Sequence, residues 1–205
     1  MNVFNRLIDR VAKFIGNISW APSNLLQEEE LHQLHTLLAA NYFIILTRSN
    51  NHFSTYAIGL ADFLMRGKFG YWGHSLMNLE DEVNNPDDFR LIEATGIGVN
   101  YVPFGKVFST NSVVLLKPKC MSLEKWVAVM DRAKTNLGKP YDTLFDLSND
   151  KALSCVELVR CALMAEQDYY DNFASFENMI RKYKNLTPSM FYDCPDFEVV
   201  FEIKR

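Results

Sequence analysis

The 205-residue sequence predicts an α+β domain in which an antiparallel sheet packs against helices. The main observation is a run of short apolar or aromatic segments separated by polar or glycine-containing turns, which is typical of antiparallel strands. YFIILT, which begins at Tyr42, is predicted to be the first of them and to be buried. The later segments are YWGHSLMNL, FRLIEATG, GVNYVPF, SVVLLK and, at the end of the chain, FEVVFEI.

Residues 1–40 are predicted to form a helical extension and residues 41–205 the domain itself. In residues 1–16 apolar side chains recur at three- and four-residue steps with charged side chains opposite, which predicts an amphipathic helix. Such a helix packs on the protein or on a partner protein, or it lies on a membrane surface, and the pattern leaves both open. Residues 22–24 then indicate a stop and a cap before a second helix that ends near Ala40.

The apolar spacing from Ser54 to Met65 predicts a helix, and two more helices are predicted in the second half of the chain. A strong helical pattern begins at Ser122, and Gly138 stands where a helix-terminating left-handed residue is expected. Another helix is predicted from about Ser154 to Gln167. A proline-led turn at residues 187–188 precedes the last strand.

The composition argues against several kinds of partner. A net charge of −4 and a pI near 5.6 provide no broad positive field, so nucleic acid is not expected as a partner. The four cysteines form no CxxC pair, and His32 and His35 have no third ligand candidate nearby. We therefore predict no metal site, no disulfide framework and no cofactor.

The sequence also carries expectations about location. No apolar run approaches the roughly 20 residues of a membrane span, and charged residues interrupt the apolar pattern at the N-terminus. We therefore expect a chain that is cytoplasmic as synthesised. A phage-encoded chain would be carried in the particle or released by lysis.

The segment DLSNDKALSCVELVRCAL, residues 146–163, carries the most specific chemical signal. A polar run leads to Cys155 at the point where an apolar helix is predicted to begin. A helix N-terminus presents free N–H groups and about half a positive elementary charge, which favours a thiolate and supplies donors for an oxyanion. Cys155 is therefore predicted to be a nucleophile, whereas Cys161 in the same helix is predicted to pack.

A thiolate nucleophile needs a base, and His74 is the best placed of the four histidines. It opens a predicted strand, whereas the others lie in the extension or in a polar turn. Glu93 lies in the next predicted strand among apolar residues, where a buried carboxylate requires a positive or hydrogen-bonding partner. Taken singly, His74 is more consistent with a structural role, and Glu93 is equally consistent with one. The combination with Cys155 is what indicates a site.

Four motifs in order, GHSL, IEATGIGV, GKPYDTLFDLSNDKALSCVELV and LTPSMF, resemble the circularly permuted NlpC/P-sixty cysteine hydrolases of the YiiX/YebB-like group. In the usual members of the wider family the cysteine helix precedes the histidine strand. Here His74 precedes Cys155 by 81 residues, as a permutation requires. The resemblance covers roughly residues 44–203 and implies a papain-like fold, with an antiparallel half-barrel sheet packed on helices.

The resemblance also implies site residues and a class of reaction. It places Cys155 at the nucleophile, His74 at the base, Glu93 at the polar third position and Tyr141 at a tyrosine beside the nucleophile that contacts substrate. The implied activity is that of a thiol-dependent hydrolase, of the cysteine peptidase or amidase type, that cleaves an amide bond, for example in cell-wall peptides.

Two alternatives stay open on the sequence. One is a membrane-associated acyl or lipid hydrolase or acyltransferase that docks through residues 1–16. The other is a catalytically idle structural or binding module of a larger assembly, such as a phage particle. The expected partner is accordingly a peptide or acyl amide substrate, and the oligomeric state is left open.

Overall fold

A computed structural model describes residues 24–78, 90–143, 145, 147–148 and 150–205, apart from the side chain of Phe108. A 3-10 helix, Phe104–Ser109, lies between β4 and β5. The other elements, in chain order, are α1 (Glu28–Ala40), β1 (Ile44–Arg48), α2 (Phe53–Arg66), β2 (His74–Asn78), β3 (Arg90–Thr95), β4 (Gly98–Pro103), β5 (Ser112–Pro118), α3 (Leu123–Lys134), α4 (Cys155–Leu163), α5 (Tyr169–Asn172), α6 (Ala174–Tyr183), α7 (Pro188–Asp193) and β6 (Phe197–Ile203).

The strands form one antiparallel sheet in the order β4-β3-β2-β1-β5-β6. Each predicted strand segment contains an observed strand, so the predicted α+β class with an antiparallel sheet packed on helices is confirmed. The hairpin neighbours β2 and β3 pair Leu76 with Glu93. Because β2 begins at His74, this register brings the predicted base and the predicted third residue onto adjacent strands and the same face.

Both faces of the sheet are covered, because successive side chains of a strand point to opposite faces. On one face Ile44 and Leu46 of β1 lie in a cluster with Trp126 of α3 and with α4. On the other face Ile45 lies in a second cluster, which includes Leu34 of α1. The second predicted helix therefore packs on the sheet through its leucines.

Four predicted boundaries differ from the observed ones. Helix α3 ends at Lys134, before the Gly138 that the sequence offers as its terminating residue. Gln27, rather than residues 22–24, caps α1, because its side chain and that of Glu30 form a reciprocal capping box. Helix α4 ends at Leu163 instead of Gln167. The predicted turn at residues 187–188 is the start of α7, since proline suits the first position of a helix as well as a turn.

The predicted amphipathic helix at residues 1–16 lies outside the described residues, and the division of the chain at residue 40 stays a prediction. Within the ranges that the structure does describe, none of the helices combines the length and the apolar character needed to cross a membrane.

A close contact at the start of β4 fixes the chain that leads to Cys155. The N–H of Val99 donates to the carbonyl of Lys139 (2.9 Å), and the N–H of Gly138 donates to the carbonyl of Val99 (2.9 Å). Gly98 has a φ of 103°, and a Cβ at this position would lie 2.5 Å from the carbonyl oxygen of Lys139. Glycine therefore permits both the backbone angle and the approach. The N–H of Leu153 then bonds to the carbonyl of Pro140 (3.0 Å) and closes the loop before α4.

Candidate active site

Cys155 is the first residue of α4, as the sequence predicts. Ser154 caps the helix: its hydroxyl accepts a hydrogen bond from the N–H of Glu157 (3.4 Å), while the Glu157 carboxylate accepts from the N–H of Ser154 (2.7 Å). This capping box fixes the first turn. The N–H groups of Cys155 and Val156 belong to that turn, where the helix supplies no acceptor, so they are the donors that an oxyanion beside the thiol would meet.

His74 and Glu93 meet across the β2–β3 pair. The Nε2 atom of His74 lies 2.8 Å from the Oε2 atom of Glu93, and Glu93 is fully buried. A carboxylate in this position holds the proton on Nε2, so Nδ1 is the ring nitrogen available to Cys155. The buried position of Glu93 among apolar residues thus has the hydrogen-bonding partner that the sequence requires.

The thiol of Cys155 and the imidazole of His74 interact directly. Burial lowers the pKa of His74, but the charge of the Cys155 thiolate, a hydrogen bond to it, and the hydrogen bond and charge of Glu93 outweigh this effect and raise the pKa from 6.5 to about 9. At neutral pH the imidazole is therefore protonated beside the sulfur.

The pKa of the Cys155 thiol is lowered by the same interaction. Burial alone would raise it, and the charge of His74, a hydrogen bond to His74 and hydrogen bonds to Ser75 overcome that effect. Ser75 follows His74 in β2 and is completely buried. The two shifts together favour a thiolate beside an imidazolium, the reactive state of a cysteine nucleophile.

Lys106 completes the surroundings of Glu93. This lysine belongs to the 3-10 helix after β4, and its Nζ atom bonds to the Oε1 atom of Glu93 while His74 holds Oε2. Burial raises the pKa of Glu93, but the hydrogen bonds and charges of His74 and then of Lys106 bring the pKa below its ordinary value. The carboxylate is therefore ionised between two cationic groups.

Replacing Lys106 with methionine is expected to raise the pKa of His74 above its value of about 9, because the charge of Glu93 is then shared with one cation fewer. Nuclear magnetic resonance titration of the His74 ring measures this shift. Lys106→Arg keeps the cation and should leave the pKa close to the wild-type value. An unchanged or lowered pKa in Lys106→Met would contradict the assignment of Lys106 to this charge balance.

Tyr141 lies beside the thiol, at the position that the resemblance implies. Burial, followed by the nearby charges of Cys155, Glu157, Asp142 and Glu93, raises the pKa of its phenol well above the ordinary value. The phenol is therefore neutral and keeps its proton as a donor. Its ring packs edge-on against Phe145, with 6.4 Å between the ring centres, and both residues line a cavity that His74 also lines.

A cavity of about 780 Å³ opens beside His74. It runs between α2, the β3–β4 turn, the 3-10 helix and the loop that holds Tyr141. The residues that line it, all of them described, include hydroxyl side chains, apolar side chains and Lys106, but no Asp or Glu. A volume of this size accommodates a peptide fragment or a short acyl chain.

The structure thus brings together all four residues that the sequence selects. It adds Lys106 and Ser75, which the sequence analysis misses, and it places His52 in the cavity wall although the sequence suggests only a polar turn. For Ser75 the alternation of strand residues is a signal, since it points away from the face of His74 and toward α4. For Lys106 no signal exists, because its contact depends on how the chain turns after β4.

The sequence matches no protein-family model and no curated protein. The structure is similar to the crystal structure of the metalloprotein yiiX from Escherichia coli O157:H7, with a TM-score of 0.56 over 80% of this chain and 98% of that chain, at 18% sequence identity. The chain has a YiiX-like fold. The resemblance to the YiiX-like group that the motifs predict is therefore confirmed at the level of the fold.

A YiiX-like fold does not by itself determine the chemistry, which depends on the residues at the site. The neighbour is described as a metalloprotein. In the part of this chain that the structure describes, no three His, Cys, Asp or Glu side chains are arranged to hold a metal ion. The arrangement that the structure does contain is Cys155 beside His74, with Glu93 bonded to His74.

Proposed function

We propose that the protein is a thiol-dependent hydrolase that cleaves an amide bond of peptide type. The observation that supports this most strongly is the position of Cys155: a thiol at a capped helix start, in contact with an imidazole whose other nitrogen bonds to a buried carboxylate. Nucleophile, base and orienting group are then arranged as in papain-like enzymes. The YiiX-like fold is compatible with this class.

In the proposed first step the Cys155 thiolate attacks the carbonyl carbon and forms a carbon–sulfur bond. The N–H groups of Cys155 and Val156 donate to the oxyanion. The His74 imidazolium then gives its proton to the leaving nitrogen, the carbon–nitrogen bond breaks, and a thioester remains. Glu93 accepts from Nε2 throughout and keeps the ring in place.

In the second step water completes the turnover. Neutral His74 takes a proton from a water molecule, whose oxygen attacks the thioester carbonyl. The carbon–sulfur bond breaks, the product leaves as a carboxylic acid, and the thiolate–imidazolium pair is regenerated. Tyr141 lines the cavity, and in this mechanism its phenol O–H donates to the substrate beside the scissile bond. Cell-wall peptides are the first substrate class to test.

A second candidate is hydrolysis or transfer of an acyl group. It is favoured by the apolar side chains in the cavity wall, among them Ile58, Ile97 and Val107. The chemistry at Cys155 is the same, and only the acyl donor differs. A panel of soluble cell-wall peptides, simple peptide amides and phospholipids, followed by mass spectrometry of the products, separates the two candidates.

The ionisation state of the Cys155 thiol can be measured without a known substrate, and this measurement tests the mechanism. Titration of the ultraviolet absorbance of the thiolate, taken as wild type minus Cys155→Ala, is expected to show Cys155 ionised below its ordinary pKa. Alkylation by iodoacetamide at pH 7 should select Cys155 over Cys120 and Cys194, because burial raises the pKa of both of those thiols, that of Cys194 to about 12. A Cys155 that ionises only at alkaline pH would leave the idle structural module as the better hypothesis.

A further inference from the structure

Helix α2 has its polarity reversed relative to an ordinary surface helix. Its buried residues are Thr55, Gly59 and Asp62. Five of its large apolar residues are exposed, each between 38% and 76%, although a surface helix normally turns such residues toward the core. They form one stripe along the helix, which we call the α2 stripe: Phe53, Tyr56, Leu60, Phe63 and Leu64.

Polar contacts hold α2 in this orientation. The fully buried Asp62 carboxylate forms an ion pair with Arg66 and accepts a hydrogen bond from Thr187 (2.8 Å). Arg66 also bonds to Asp193 (2.9 Å). Gly59 lies so close to the carbonyl of Gly70 that a Cβ would be 2.7 Å from it. The buried side of the helix thus carries the packing, and the stripe contributes little to it.

The α2 stripe adjoins the wall of the cavity. Ala57 lines the cavity, and it lies next to the stripe because it is four residues after Phe53 and three before Leu60. Ile97, at the β3–β4 turn, also lines the cavity and is 85% exposed. Apolar surface therefore continues from the outside of α2 to the entrance of the candidate active site, and contiguous patches of this kind mark interaction sites.

The charges around the stripe suit a lipid surface. From Phe53 to Gly70 the one carboxylate is the fully buried Asp62, and the exposed Lys68 forms an ion pair with Asp193 (2.7 Å). The protein as a whole carries a net charge of −4. Asp62 and Asp193 are thus held in ion pairs with Arg66 and Lys68, which limits their repulsion of an anionic phospholipid headgroup. The aromatic and leucine side chains of the stripe are those that enter a membrane interface.

We propose that the α2 stripe is a docking surface for a phospholipid membrane. The exposed apolar side chains of α2 enter the boundary between headgroups and acyl chains, and the mouth of the cavity then faces the lipid. Docking through α2 is distinct from docking through residues 1–16, and it holds whether or not Cys155 is catalytic.

Vesicle flotation of the full chain tests the proposal. The probes are vesicles of phosphatidylcholine alone and of phosphatidylcholine with phosphatidylglycerol. Wild type is expected to float with the mixed vesicles, and Leu60→Glu/Leu64→Glu is expected to bind at least about tenfold more weakly. The matched control is Leu123→Glu/Val127→Glu on α3, with the same spacing and with side chains 54% and 43% exposed, which should bind like wild type. Circular dichroism and light scattering establish that each variant is folded and report its oligomeric state.

Three outcomes would overturn the proposal. Wild type that does not float with either vesicle refutes it directly. Equal floating of wild type and Leu60→Glu/Leu64→Glu assigns binding to another part of the chain, such as residues 1–16. A wild-type dimer that becomes a monomer in Leu60→Glu/Leu64→Glu, with no vesicle binding, identifies the stripe as a contact between two copies of the chain.

Discussion

Cys155→Ser is expected to lower the rate of substrate hydrolysis by roughly a factor of 10³ or more, while the protein stays folded. The substitution keeps the size of the side chain but replaces a thiol of lowered pKa with a hydroxyl that His74 cannot ionise in advance. A factor of 10³ corresponds to about 4 kcal/mol of lost transition-state stabilisation. Product formation by the variant and by wild type, followed by mass spectrometry on the same substrate, measures the loss.

Cys161→Ser is the matched control for this experiment. Cys161 lies in the same helix and is half-buried, with the Nδ2 atom of Asn136 3.8 Å from its sulfur. It lies in the body of α4, away from the first-turn N–H groups and from His74, so its replacement should leave the rate close to that of wild type. If Cys155→Ser retained wild-type activity, the nucleophile would have to be another group, and the proposed mechanism would be wrong.

The residues of the candidate site can be predicted from the sequence because each of them lies in a recognisable local pattern. Cys155 stands between a polar run and an apolar helix, and His74 opens an alternating strand. Glu93 is marked by a carboxylate among apolar residues, a combination that burial makes costly without a partner. Strands β2 to β5 are predicted for the same reason: their apolar patterns are local and their turns contain glycine or polar residues.

Features that depend on tertiary contacts cannot be predicted from local sequence patterns. Lys106 reaches Glu93 only because the 3-10 helix after β4 returns over β3. The reversed polarity of α2 is another example, since the apolar spacing of residues 54–65 predicts the helix but not which side is buried. The buried ion pair of Asp62 and Arg66 decides that side, and its third partner, Asp193, lies 127 residues after Arg66 in the chain.

His74→Gln is expected to lower kcat/KM by roughly 10² to 10⁴, the usual contribution of a positioned general acid and base. Without the imidazolium the thiol loses the charge that lowers its pKa, and burial then raises that pKa. The thiolate fraction at pH 7 falls accordingly. Glu93→Gln is the graded comparison, because it keeps the imidazole and a hydrogen-bonding partner but removes the buried negative charge.

The pH dependence separates loss of the ion pair from general damage to the fold. In wild type the pair exists above the lowered pKa of Cys155 and below the raised pKa of His74, so activity should rise through the first and fall as the pH passes about 9. Glu93→Gln lowers the pKa of His74, and the alkaline limit should move to lower pH. His74→Gln has no imidazolium to lose, so its remaining reactivity toward iodoacetamide should keep rising with pH beyond 9. An alkaline limit that stays at the same pH in all three proteins would mean that a group other than His74 sets it, and the assignment of His74 as the general acid would fail.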